Sequence, residues 1–251
     1  MNSVTVRALL VRGMLAGLAA GLLAFGLAYL IGEPGVNAGI AFEDSRSHEH
    51  GVEVVSRAMQ STAGLATAVL IFGTAVGGIA TLAFCFALGR IGPFGARATA
   101  ALVAAGAFVT VCLVPFLKYP ANPPGASDPD TVGQRTILYF GMIALSVLVA
   151  IGLIIIGRRL AGRLGNGNAA LATAIGCTAV IAAAMAFLPA VNETPKDFPA
   201  TVLWQFRLAS LGIQALLWAA FGVIFGFLAE RVLQPHPTRS AQGATEVPGT
   251  A

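Results

Sequence analysis

Six long apolar runs alternate along the chain with short polar segments that hold nearly all the charged residues. The runs cover residues 8–32, 61–89, 97–117, 136–157, 168–189 and 206–229. Each run reaches the roughly 20 residues that a helix needs to cross the hydrocarbon core of a bilayer. The pattern therefore predicts an all-α, polytopic transmembrane helix bundle with about six spans.

The composition excludes a water-soluble fold. Hydrophobic residues make up 57% of the 251 residues and charged residues only 10%, whereas a soluble domain usually carries about a quarter charged residues. We therefore expect residues 1–231 to form one transmembrane domain. The segment 232–251 is rich in Pro, Gly, Ser and Thr and has no apolar period, which predicts a disordered cytoplasmic tail.

The basic residues are distributed unevenly between the two sides of the predicted bundle. The N-terminus, the second and fourth loops and the C-terminus together hold nine Lys and Arg residues against two acids, while the other three loops hold six against nine. The positive-inside rule then places both termini in the cytoplasm. Because these cations lie at the ends of spans, where they anchor helices, nucleic-acid binding is not indicated.

Glycines spaced four residues apart predict close contacts between helices, because lipid supplies no hydrophobic drive for their association. They occur in the first, second and sixth runs, at Gly13, Gly17 and Gly21, at Gly73 and Gly77, and at Gly222 and Gly226.

A possible internal repeat links the third and fifth loops. Phe116 and Phe187, and likewise Gln134 and Gln205, are 71 residues apart. Two helical hairpins could share an origin, as in many transporters. The alternative is that two loops independently use Pro and Asn turn chemistry.

The first loop contains the cluster in this sequence that best fits a metal site. Two imidazoles and four carboxylates fall within eleven residues, and ions such as cobalt, nickel and zinc accept both donor types. These candidate ligands are Glu43, Asp44, His48, Glu49, His50 and Glu53. Either an extended or a helical backbone brings only two or three of them together, so a complete site needs further ligands. The alternative is an ordinary solvated loop.

No motif for catalysis or cofactor binding occurs in a suitable context. The two histidines of the first loop lack the His-Glu-x-x-His spacing, and no Gly-x-Ser-x-Gly, Walker A or dinucleotide fingerprint stands in the strand-to-helix context that its chemistry requires. We therefore expect neither an enzyme nor a bound cofactor. The spans also lack a deep Asp, Glu, His or Lys, so an ion route would depend on backbone carbonyls, hydroxyls, Gln214, methionines or the cysteines Cys85, Cys112 and Cys177.

Arg135 and Arg207 are expected at the outer starts of the fourth and sixth spans, near several carboxylates. They could pair with those carboxylates or with lipid headgroups, or they could repel cations.

Several strings together resemble the CbtA family of cobalt transporter subunits. They are HEHG, VPFLKYPANPPG, DPDTVGQRT and FPATVLWQFRLASLGIQALLW. The resemblance implies a membrane subunit of a cobalt uptake transporter that supports cobalamin synthesis. It also implies a small single-span, histidine-rich partner, CbtB, and matches His48 and His50 to the histidine-containing first loop of the family.

From this resemblance we expect a multi-pass protein of the inner (plasma) membrane whose partners are CbtB, a divalent metal ion and the lipid bilayer. The transported ion is expected to be cobalt, with nickel as the alternative. A structural or assembly subunit that binds a partner without itself conducting metal is the competing interpretation.

Overall fold

The computed structural model describes residues 2–46, 55–128, 130–191 and 194–234, and within those ranges the regular structure is helical. Among these described residues, five helices are long and apolar enough to cross a membrane. They are α1 (Ser3–Arg46), α2 (Arg57–Ala87), α3 (Ala96–Lys118), α4 (Val132–Phe187) and α5 (Ala200–Leu233). The segment expected as a disordered tail lies outside the described residues from position 235 onward.

Helix α4 supplies two membrane crossings because it breaks at Gly165. Gly165 adopts φ 76° and ψ 162°, a left-handed conformation that residues with a Cβ rarely adopt. The two limbs, 132–164 and 166–187, fold back on each other, so that Gly157 lies against the side chain of Thr173. The expectation of about six spans is thus confirmed. Residues 158–167, which separate the fourth and fifth apolar runs, are helical on both sides of Gly165.

Contacts between helices show which helix ends lie together at each end of the bundle. At one end, which we call the basic end, Arg158 donates to the Arg90 carbonyl and Arg97 forms an ion pair with Glu230. At the other end, which we call the loop end, the second limb of α4 returns beside α3, where Lys118 Nζ donates to the Met185 carbonyl at 2.8 Å. Loop three (119–131) and loop five (188–199) both lie at the loop end.

Glycines allow the backbones of α1 and α2 to touch. A Cβ on Gly77 would lie 2.5 Å from the Gly13 carbonyl oxygen and 2.9 Å from the Cα of Gly17, so no larger residue fits without moving a helix. Gly222 and Gly226 of α5 face α3 less tightly: a Cβ on Gly222 would lie 2.9 Å from the Cβ of Ala104, and one on Gly226 would lie 3.4 Å from the Cα of Arg97. The predicted role of these glycines in helix packing is confirmed.

Two π-helical turns adapt the helices to proline. The turns Ala28–Gly32 and Phe108–Leu113 end two residues before Pro34 and Pro115, respectively. Proline removes a backbone donor and crowds the preceding turn, and a wider turn accommodates both effects. Helix α1 consequently continues through Pro34 to Arg46.

The length of α1 exceeds the thickness of a bilayer. Its 44 residues span about 66 Å, roughly twice the hydrocarbon core. The part after the first π-helical turn, Glu33–Arg46, has far lower mean hydropathy than Ser3–Leu27. We call Glu33–Arg46 the α1 extension; it projects at the loop end.

Substitution of Gly77 by Ala should destabilise the bundle, because the added methyl group would strike the backbone of α1. We expect a loss of about 1–3 kcal/mol, the usual cost of overpacking, seen as a lower thermal midpoint in detergent. Gly26→Ala is the matched control, since a Cβ there meets nothing within 4 Å. Equal midpoints for the two variants would contradict the packing described here.

Candidate functional site

The α1 extension is seated on loop three. Gly39 is buried, and a Cβ at this position would lie 2.5 Å from the Pro124 carbonyl oxygen. One turn later, the Cβ of Glu43 lies 3.1 Å from the position that a Cβ on Gly125 would occupy. Gly125 has φ 71°, so the turn and the close approach both require glycine there. The extension is therefore a packed element of the fold.

Ion pairs tie the extension to two further segments of the loop end. Arg57, at the start of α2, pairs with Glu33 and donates from Nε to Asn37 Oδ1 at 3.0 Å. Glu33 is well covered, with a side chain only 11% exposed. At the other end of the extension, Arg46 forms two hydrogen bonds with the Asp197 carboxylate at 2.7 and 2.9 Å.

Aromatic packing accompanies the contact with loop five. The rings of Phe42 and Phe198 meet edge to face with their centroids 4.8 Å apart, and Phe198 is buried. The end of α1 at Arg46 and the start of α2 at Arg57 are therefore both held in place by these contacts. Both of these helix ends lie at the loop end.

The structure places two of the six predicted metal ligands. Glu43 and Asp44 are exposed on the last turn of α1, so they lie on a helix rather than in the loop where the sequence had placed them. As adjacent helical residues, they point about 100° apart. The other four, His48, Glu49, His50 and Glu53, lie outside the described residues.

The described ranges contain no group of three His, Cys, Asp or Glu residues that could hold a metal ion. By themselves, Glu43 and Asp44 offer a cation only their carboxylate oxygens. They lie at the C-terminal end of α1, where the dipoles of the helix carbonyls also favour positive charge. A closed site would need further ligands, such as those of the predicted cluster.

A second feature of the loop end is a cavity of about 380 Å³ with polar walls, which we call the cationic cavity. It lies where loop three, loop five, the start of the first limb of α4 and the start of α5 meet, next to the end of α3. Three basic side chains line it: Lys118, Arg135 and Arg207. Its walls are completed by Tyr119, Pro120, Asn122, Ala190, Val191 and Thr194.

Hydrogen bonds hold the cavity walls together. Arg207 donates to Asn122 Oδ1 at 2.9 Å and to the Ala121 carbonyl at 3.3 Å. Arg135 contacts the Pro120 carbonyl and donates to Ser127 Oγ at 3.2 Å. Both arginines thus reach loop three, Arg135 from the first limb of α4 and Arg207 from α5.

Tyr119 closes the wall between loops three and five. It is 3% exposed and donates from its hydroxyl to the Pro189 carbonyl at 2.9 Å. Burial raises the pKa of Tyr119 above its ordinary value, which is itself well above neutral, and the hydroxyl is therefore a protonated donor at neutral pH.

Within the membrane, the structure joins polar groups that are far apart in the sequence. Trp218 Nε1 donates to Cys112 Sγ at 3.3 Å, and Cys112 Sγ lies 3.6 Å from Gln214 Oε1. Cys112 lies on the π-helical turn Phe108–Leu113, and π-helical turns are frequent at functional sites. The sequence had named Cys112 and Gln214 separately as groups that an ion could meet, whereas Trp218 was missed because it is 106 residues from Cys112.

Comparison with known proteins identifies the family. No curated protein and no solved structure matches the chain. The family model described as a probable cobalt transporter subunit (CbtA) matches residues 6–230, which includes all six membrane-crossing segments and both loops of the cationic cavity. The chain therefore belongs to the CbtA family of cobalt transporter subunits.

Proposed function

We propose that this chain is the membrane subunit of a cobalt uptake transporter that captures the ion at the loop end and passes it inward through the helix bundle. The observation that carries the proposal is the packed α1 extension. It presents Glu43 and Asp44 at the loop end, and the connection that follows it carries His48 and His50 between two anchored helix ends.

The donor types suit the proposed ion. Imidazole and carboxylate groups bind borderline divalent ions, and cobalt and nickel both belong to this class. The family description favours cobalt. A single-span, histidine-rich partner such as CbtB would supply additional imidazoles, and cobalt brought in by this route would support cobalamin synthesis.

The proposed orientation makes the loop end external. The basic end carries the excess of Arg residues, which the positive-inside rule assigns to the cytoplasm. The chain would then be a multi-pass protein of the inner membrane with both termini in the cytoplasm. Cations would meet the acids of the α1 extension before they meet the bundle.

A second candidate function is that of an assembly subunit that positions the partner without conducting metal. The absence of an acid or imidazole deep in any span favours it, because carriers commonly use such groups as relays. Cobalt uptake by the chain alone, compared with uptake by the chain plus CbtB, distinguishes the two functions.

Replacement of both His48 and His50 by Ala should raise the cobalt concentration needed for half-maximal uptake by about tenfold or more and leave the maximal rate nearly unchanged. The physical reason is that capture would lose two ligands, and second-shell losses alone cost 10-fold or more. Radiolabelled cobalt uptake in cells that express the chain with CbtB would measure this.

His236→Ala is the matched control, since His236 is the third histidine and belongs to the C-terminal segment beyond α5. Acidification below about pH 6.5 should also weaken capture in the wild type, because protonated imidazoles do not bind metal. A normally expressed double variant with wild-type uptake at limiting cobalt would show that these histidines do not capture the ion.

The orientation predicts opposite labelling of two introduced cysteines in intact cells. A membrane-impermeant maleimide should label Ser47→Cys, in the first loop, but should label Ser240→Cys only after permeabilisation. The unmodified chain controls for its own cysteines, Cys85, Cys112 and Cys177. Labelling of position 240 in intact cells would contradict the proposed topology.

A further inference from the structure

Two of the three cations that line the cationic cavity donate to neutral groups. Lys118 Nζ donates to a backbone carbonyl, and the Arg207 guanidinium donates to a carbonyl and to the Asn122 side-chain oxygen. All of these acceptors are neutral. None of the lining residues that the structure describes is acidic. A cavity of about 380 Å³ with this lining favours an oxyanion and disfavours a bare divalent cation.

An apolar groove of about the same volume adjoins the cavity. The two share Tyr119 and Arg135, so the polar and apolar walls are continuous. The groove runs between the end of α3 and the first limb of α4. Phe116 lines it on the α3 side, and Phe140, whose side chain is 63% exposed, lines it on the α4 side. Its lining is mainly apolar, as expected for a surface that faces acyl chains.

We propose that the cationic cavity and the apolar groove form a binding site for one anionic phospholipid. The phosphate headgroup would lie among Lys118, Arg135 and Arg207, and an acyl chain would lie along the groove against Phe116 and Phe140. The site is at the end of the spans, which is the depth of the lipid headgroups. Basic pockets between transmembrane helices bind anionic headgroups on the cytoplasmic side, and the same charge complementarity acts at the external end. Arginine is well suited to phosphate because its guanidinium can donate two parallel hydrogen bonds.

Charge complementarity selects an anionic lipid over a zwitterionic one, and the groove selects a lipid over a free anion. Inorganic phosphate could occupy the cavity but would gain nothing from the apolar walls. A bound lipid would connect loop three to the start of α5, both of which line the cavity. It would therefore stabilise the loop end without taking part in the binding of the transported cation.

The test uses the full-length chain in nanodiscs or detergent and compares phosphatidylglycerol with phosphatidylcholine of the same acyl chains. Native mass spectrometry measures the ratio of retained lipids, and thermal denaturation measures the stabilisation by each lipid. The wild type should retain phosphatidylglycerol preferentially and unfold at a higher temperature in its presence. Arg207→Gln or Lys118→Gln should each lower this preference about fivefold, the usual contribution of one cation near an anionic headgroup.

Lys196→Gln is the matched control, because Lys196 is an exposed cation of loop five that does not line the cavity. It should keep the wild-type preference. Arg207→Lys should keep part of the preference, since it retains the charge but loses the planar fork. Each variant is compared with itself in the two lipids, so any general loss of stability cancels from the ratio.

Three results would overturn the proposal: a wild type without preference for phosphatidylglycerol, an equal loss of preference in Lys196→Gln, or inorganic phosphate that stabilises the chain as much as the lipid does. The last result would assign the cavity to a free anion. Failure of this proposal would leave the cobalt uptake proposal unaffected, because the residues tested are not among the proposed metal ligands.

Discussion

The backbone contact between α1 and α2 is the constraint on which the rest of the structure depends. Gly13, Gly17 and Gly77 bring the two helices so close that a methyl group does not fit between them. In lipid, an apolar side chain gains little free energy when it moves from acyl chains to a helix interface. The van der Waals contact that this close approach allows is therefore what holds the two helices together. It also fixes the direction in which α1 leaves the membrane, and therefore where the α1 extension lies.

Charge is separated at the loop end as a consequence. The α1 extension carries its exposed acids, Glu43 and Asp44, on the side that continues into the first loop. The cations Lys118, Arg135 and Arg207 instead gather in the cavity between loop three, α4 and α5. A divalent cation and an anionic headgroup would thus find complementary surfaces at different places. Under the two proposals, this separation would let one end of a small bundle attract metal while it is anchored to the lipid headgroups.

Much of this architecture could be predicted from the sequence because its signals are local. The length of the apolar runs predicted the spans, and the spacing of the glycines predicted the contacts between helices. The helical α1 extension could not be predicted, because Pro34 and the low hydropathy after Gly32 are typical of a loop; packing of Gly39 on loop three stabilises the helix instead. Contacts such as Arg46 with Asp197, 151 residues apart, leave no periodic signal. The roles of His48 and His50 stay a prediction.

Cobalt uptake into liposomes measures the central claim most directly. The purified chain would be reconstituted with and without its single-span partner, and radiolabelled cobalt inside the vesicles would be followed over time. The account predicts accumulation by the vesicles that contain both subunits, with competition by nickel but not by magnesium, because the proposed donors include imidazole. Accumulation no faster than in protein-free vesicles, with both subunits present and folded, would contradict it.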